Sequence, residues 1–296
     1  MYEPETDSDK FQNELCFLLM ACRRATRRQA LLSQLAANVA AAALLYAHVV
    51  LAAWLLEKEM LLHVLGFVVG VAGFGIAGLV LAAGATAVDH KVFRPDSRQE
   101  ETLHFLEQRA AALVQCCGAF YAAFALVLCL LLVPTAAARL GLVGQVLYAL
   151  LLIPMTALAA AGVLALVAAI AVVPAEAALR TQEAGGAFRS VWKCISSRAA
   201  GLAWTVGVAF VVSLAAAAPL VALVLMAWWC LQALAGPVAG VTPRPAALVL
   251  MGFSQVMLLG ALAAPPMACF NAIIALRYRG LIEEIEKLDR SDGDVA

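Results

Sequence analysis

Histidines and carboxylates are the side chains most able to do chemistry in this chain, because its surroundings are otherwise apolar. His48 and His63 flank the segment Glu57 to Glu59, and two imidazoles with two carboxylates are an adequate ligand set for zinc or haem iron. A second group, His90 and His104 with Asp89, Glu100 and Glu101, places Glu100 and His104 on one helix face. Neither group has the spacing of a metalloprotease motif, so all four are read as packing or interfacial histidines, with no metal and no cofactor expected. The eight cysteines form no CxxC pair and are read as small apolar filler. No nucleotide-binding loop, nucleophile elbow or paired intramembrane carboxylate occurs, and the chain is expected not to be an enzyme.

Milder polarity lies inside the apolar runs: Asn38, Thr156, Thr205, Ser213, Ser254, Gln255 and Asn271. Hydroxyls can donate to carbonyls of their own helix, whereas Asn and Gln amides need partners across helices. Gln255 and Asn271 are the leading polar candidates, because Pro265 and Pro266 stand between them and remove backbone donors from the last run. A broken helix beside polar amides is one way to line a substrate or lipid path. Pro154 and Pro219 suggest bends in the fourth and fifth runs.

The elements that would position these groups follow from composition. With 64% hydrophobic and only 14% charged residues, against roughly 25% charged in a soluble domain, most of the chain belongs in lipid. Apolar runs cover 32–56, 61–85, 110–134, 145–174, 200–230 and 246–275, each long enough to cross a bilayer as a helix. They are apolar throughout rather than alternating, which excludes barrel strands. Arg23, Arg24, Arg27 and Arg28 precede the first run, and the second and fourth connections and the tail carry most of the remaining basic residues. The opposite side keeps only Lys58, Arg139 and Arg244. The positive-inside rule then gives an even span count with both termini cytoplasmic, in a bacterial-type inner membrane. The acidic start, Met1 to Asp9, is unlike a signal peptide, so the amino terminus is expected to be retained.

The expected fold is all-α, a polytopic six-helix transmembrane bundle with amphipathic cytoplasmic helices. Its parts are an amphipathic amino-terminal helix over 1–31, a membrane domain over 32–276 and a tail over 277–296. Phe11 to Gln34 reads as a surface helix whose Arg23, Arg24, Arg27 and Arg28 suit anionic headgroups. Amphipathic stretches also precede the third span, after Pro95, Asp96 and Ser97, and the fifth, after Gly185 and Gly186, which suggests three helix-plus-hairpin units. Gly66, Gly70, Gly73, Gly75 and Gly78 predict a tight helix contact in the second span. Leu281, Ile282, Ile285 and Leu288 form a stripe for self-packing or for a partner. Trp54, Trp228 and Trp229 read as an outer aromatic belt, with Trp192 and Tyr278 as an inner one. Glu176, just beyond Pro174, is expected at the boundary, paired with Arg180.

Val173, Pro174, Ala175 and Glu176, followed by Ala187, Phe188, Arg189, Ser190, Val191, Trp192 and Lys193, resemble a pattern in poorly characterised bacterial six-span membrane proteins. These are related to the membrane domain of some glycerophosphodiester phosphodiesterases. Ala275, Leu276, Arg277, Tyr278 and Arg279 resemble the basic end of that family's last span. The resemblance implies the membrane part alone and carries no catalytic residue. The expected function is a scaffold, assembly factor or subunit of a membrane complex. The alternative is a transporter, channel or lipid-handling protein for a hydrophobic or amphipathic substrate. Expected partners are membrane lipids, other membrane subunits or further copies of the chain. Nucleic acid is not expected, because Lys plus Arg and Asp plus Glu both number 20.

Overall fold

The computed structural model describes residues 7–56, 60–137, 141–179, 184–235 and 245–293. These residues form α1 (Asp7–Ala25), α2 (Arg28–Leu56), α3 (Met60–Phe93), α4 (Gln99–Ala137), α5 (Leu142–Leu179), α6 (Ala184–Ser197), α7 (Ala199–Ala235), α8 (Pro245–Leu262) and α9 (Ala264–Gly293). The described residues are thus all helical apart from short joints. Five stretches are long and apolar enough to cross a membrane: Arg28–Leu55, Val68–Phe93, Leu142–Ala160, Ala199–Val224 and Val249–Ile285. The fold is an all-α bundle suited to a polytopic membrane protein. The expected third span falls in α4, where the side chains of 124–137 lie outside the described set.

Small residues decide how the helices approach. Ala37 lies against Gly84, His48 against Gly73 and Ala52 against Gly70, so α2 and α3 run antiparallel. A Cβ at Gly84 would collide with the Ala37 methyl, and one at Gly73 with the His48 side chain. The backbones come this close because neither position carries a side chain, and lipid tails offer no hydrophobic force that could substitute for packing. The tight contact expected of the second span is present, although Gly75 faces open space and Gly78 packs on Tyr121 of α4. On an adjoining face α2 also runs antiparallel to α8 and α9, with Tyr46 donating to the Val249 carbonyl at 2.7 Å and Asn38 to that of Gly260 at 3.1 Å.

The densest core lies at the end of the bundle that carries the basic connections. There Phe120, Val172, Val173, Val191, Cys194, Leu202, Ala275, Tyr278, Ile282 and Ile285 form one buried cluster. Ile282 and Ile285 of the tail stripe are therefore packed on the chain itself, while the side chain of Leu288 lies outside the described residues. Helix α6 is amphipathic: Val191 and Cys194 are buried while Trp192 is exposed. The helical stretch expected over 11–34 is divided at Thr26 and Arg27, so α1 folds back as a separate helix. Ala21 of α1 then packs with Ile273 and Ile274 of α9. α4 starts where Arg98 N–H donates to the Glu101 carboxylate at 3.2 Å, which satisfies a backbone donor at the helix entry.

Three expectations require correction. Tyr278 is fully buried rather than interfacial, and its hydroxyl donates to the Glu176 carboxylate at 2.9 Å. α5 continues through Pro174 to Leu179, so Glu176 is 1% exposed inside the bundle, and Arg180 lies outside the described residues. The expected second connection begins later, because Asp89, His90 and Lys91 belong to the last turn and a half of α3 and are all buried. Pro154 and Pro219 sit inside helices that continue through them.

Candidate functional site

The break in the last apolar run is built from two prolines and one carbonyl. Pro265 and Pro266 fall in the first turn of α9, where a missing N–H costs nothing, but the carbonyls of Ala261 and Leu262 lose their usual donors. Ala263 forms the joint, donating to the Leu259 carbonyl at 2.9 Å and accepting from Met267 N–H at 3.1 Å. The Gly260 carbonyl, one turn ahead of the joint, accepts from Asn38 Nδ2 of α2. Behind that bond stands a relay of amides. Asn271 Nδ2 donates to Gln34 Oε1 at 3.0 Å, and Gln34 Nε2 donates to Asn38 Oδ1 at 2.7 Å. Asn38 Nδ2 also approaches Met267 Sδ at 3.3 Å. Gln34 is 0%, Asn38 3% and Asn271 9% exposed, so this relay is a buried polar clamp holding α2 to both sides of the break.

On the other side of α8 and α9 lies an open furrow against α7. Its first section, a cavity of about 740 Å³, runs beside Gly201, Thr205 and Val208 of α7 and Ile273, Leu276 and Leu281 of α9. A second section of about 260 Å³ is lined by Phe210, Ser213, Ala217, Pro266 and Phe270. A third, also about 260 Å³, is lined by Ala217, Leu220, Val224, Leu259 and Pro266. Around α7 the first section lies on the side of Gly201, Thr205 and Val208, whereas Phe210, Ala217 and Val224 of the other two lie roughly half a turn round, so the second and third sections open on the opposite flank of α7 and the first stands as a furrow of its own. Thr205 and Ser213 hydroxyls donate to Gly201 and Ala209 of their own helix, which leaves the walls apolar in character.

Only one end of the furrow is charged. Glu14, Arg277 and Glu284 line the first section. Arg277 Nη2 is ion-paired with Glu14 Oε1, and its guanidinium lies over the Phe17 ring, 4.4 Å from the centroid. Arg198 reaches Glu284 at 4.0 Å. α1 is also held at a second point, where Cys22 packs on the buried cluster that includes Ala268, Cys269 and Ala272 of α9.

Among the residues singled out from sequence, Asn271 and Pro266 reach these features, Asn271 in the clamp and Pro266 in the walls of the second and third sections. Pro265 is half-buried at the joint. Gln255 is exposed on α8 and does not join Asn271. His48 bonds through Nδ1 to the Leu44 carbonyl at 2.7 Å, which makes it a helix-packing residue; the His63 side chain and 57–59 lie outside the described residues. His90 stacks on Phe105 at 4.3 Å, whereas His104 is exposed beside Gln108 and Glu107, so these two histidines do not converge. Among the described residues no group of three His, Cys, Asp or Glu is placed to hold a metal ion. Arg23, Arg27 and Arg28 are exposed and Arg24 half-buried around the α1–α2 joint. Sequence reasoning missed Gln34, Glu14 and Glu284. Comparison with family models, with curated proteins and with solved structures finds no match for this chain.

Proposed function

We propose that this chain is a lipid-handling protein of a bacterial-type inner membrane, with six spans and both ends cytoplasmic, acting without catalysis. The observation that carries the reading is the first furrow between α7 and α9, charged at Glu14, Arg277 and Glu284 and apolar along Leu18, Val208, Ile273 and Leu276, a polarity profile that matches a single amphipathic molecule lying in it. The charged end belongs to the same pole as the basic connections, which places it at the cytoplasmic headgroup level in this reading. The sixth span is supported by α4, which at 39 residues is long enough to cross a bilayer and still project from it. Arg23, Arg24, Arg27 and Arg28 would lie against anionic headgroups nearby.

Val208 lines this furrow and is half-buried, so Val208→Trp should fill it while leaving the core and the amide clamp intact. Native mass spectrometry of protein released from lipid nanodiscs should then show one tightly held phospholipid fewer than in the unmodified protein, with an unchanged melting temperature. Equal lipid retention by the two proteins would remove the lipid-handling reading. That outcome would favour the scaffold or subunit role, for which the support is the outer half of α5: Leu142, Val143, Leu150 and Ile153 are each at least 70% exposed and free to meet another membrane chain.

A further inference from the structure

Resting on the furrow reading, we propose that the mouth selects a glycerophospholipid whose headgroup carries both a phosphate diester and a primary ammonium, the phosphatidylethanolamine class. The charges at the mouth are of both signs and nearly balanced: Arg277 and Arg198 against Glu14 and Glu284. Arg277 uses one nitrogen on Glu14 and one face on Phe17. A guanidinium has five N–H donors, so others remain to meet a phosphate oxygen. Its side chain is 37% exposed and that of Glu14 40%, so both open onto the cavity rather than being sealed into the pair. Glu284, 63% exposed and 4.0 Å from Arg198, has acceptor capacity to spare.

A purely anionic headgroup would bring its phosphate to Arg277 but leave two carboxylates facing negative charge. A quaternary ammonium would satisfy the charge but has no N–H to donate to them. The ethanolamine headgroup answers both signs, since its phosphate is a further acceptor for the Arg277 donors that Glu14 does not use and its ammonium supplies three donors to the carboxylates. Specificity of this kind comes from the mismatched competitor leaving buried or half-buried charge unpaired. Below the headgroup, the apolar wall of Leu18, Val208, Ile273 and Leu276 takes the acyl chains without regard to their identity.

The test uses the full chain in nanodiscs and a series of phospholipids with identical acyl chains, in which the amine bears none, one, two or three methyl groups, plus a phosphatidylglycerol. Retention measured by native mass spectrometry should fall along the methyl series by about tenfold in total, the worth of one charge-assisted hydrogen bond. Phosphatidylglycerol should be held no better than the trimethyl lipid. Glu284→Gln should flatten the series by lowering retention of the unmethylated lipid toward that of the trimethyl lipid, and Glu14→Gln should do so more strongly, with a melting measurement confirming that α1 stays docked. A flat series in the unmodified protein, or a preference for phosphatidylglycerol, overturns the headgroup inference. If Val208→Trp still displaces lipid in that case, the furrow reading stands alone; if it displaces none, both fall together.

Discussion

Each amide of the Gln34, Asn38 and Asn271 relay has its partner on another helix or one turn away, so removing one strands the next. Asn38→Ala should lower stability by about 1–2 kcal/mol, because the Gly260 carbonyl and the Gln34 amide both lose a buried partner. Reversible unfolding in mixed micelles would measure it, and the double variant with Asn271→Ala should cost less than the two single losses combined. Additive losses would mean that the amides act separately. The rule that hydroxyls bond at home while amides reach across was legible in the sequence: Thr156 bonds to the Leu152 carbonyl at 2.9 Å, whereas Asn38 and Asn271 cross to their partners. Gln34 was not legible. It closes a stretch rich in exposed arginine, and its burial depends on Asn271, 237 positions away, which no local spacing reports. Gln255 misled for a geometric reason, since at 3.6 residues per turn it stands roughly 160° round a straight helix from Asn271.

At the scale of helices, contact is set by which positions lack a side chain. Gly84→Leu should destabilise the bundle by about 1–3 kcal/mol, the usual cost of forcing bulk into a filled contact, because its first methylene already meets Ala37. Gly75→Leu, on the same helix but facing open space, should stay within about 0.5 kcal/mol of the parent. Melting temperatures of the two purified variants would check the contrast, and equal losses would mean that the α2 contact does not set the cost. Glycine enrichment announced a close approach but not which glycines make it, since that depends on the rotation of α3 against its neighbours. Likewise Pro174 reads as a helix end from sequence. The surrounding Val172, Val173 and Ala175 are so deeply buried that α5 carries through it, taking Glu176 inside.

For the molecule as a whole, the charge asymmetry makes a topology that can be read with reporter fusions. Positions near Lys58, Arg139 and Arg244 should report outside, and those near Arg94, Arg189 and Arg290 inside. An inside signal at Arg139 would break the six-span arrangement, since it sits between the third and fourth runs. Helical class, run positions and the gathering of basic connections were readable because bilayer thickness and backbone hydrogen bonding leave few choices. The furrow was not, because it depends on how α7 and α9 are rotated against each other and on α1 arriving from the other end of the chain. Its mouth joins Glu14 to Arg277 across 263 positions. At roughly 5–20 residues per second of synthesis, α1 leaves the ribosome about 13–53 s before its partner exists. During that interval α1 waits without Ile273 and Ile274, the α9 residues on which Ala21 packs. The Glu14–Arg277 pair is therefore among the last contacts of the protein to be completed, and a nascent chain halted before α9 would lack it together with the second half of its last apolar run.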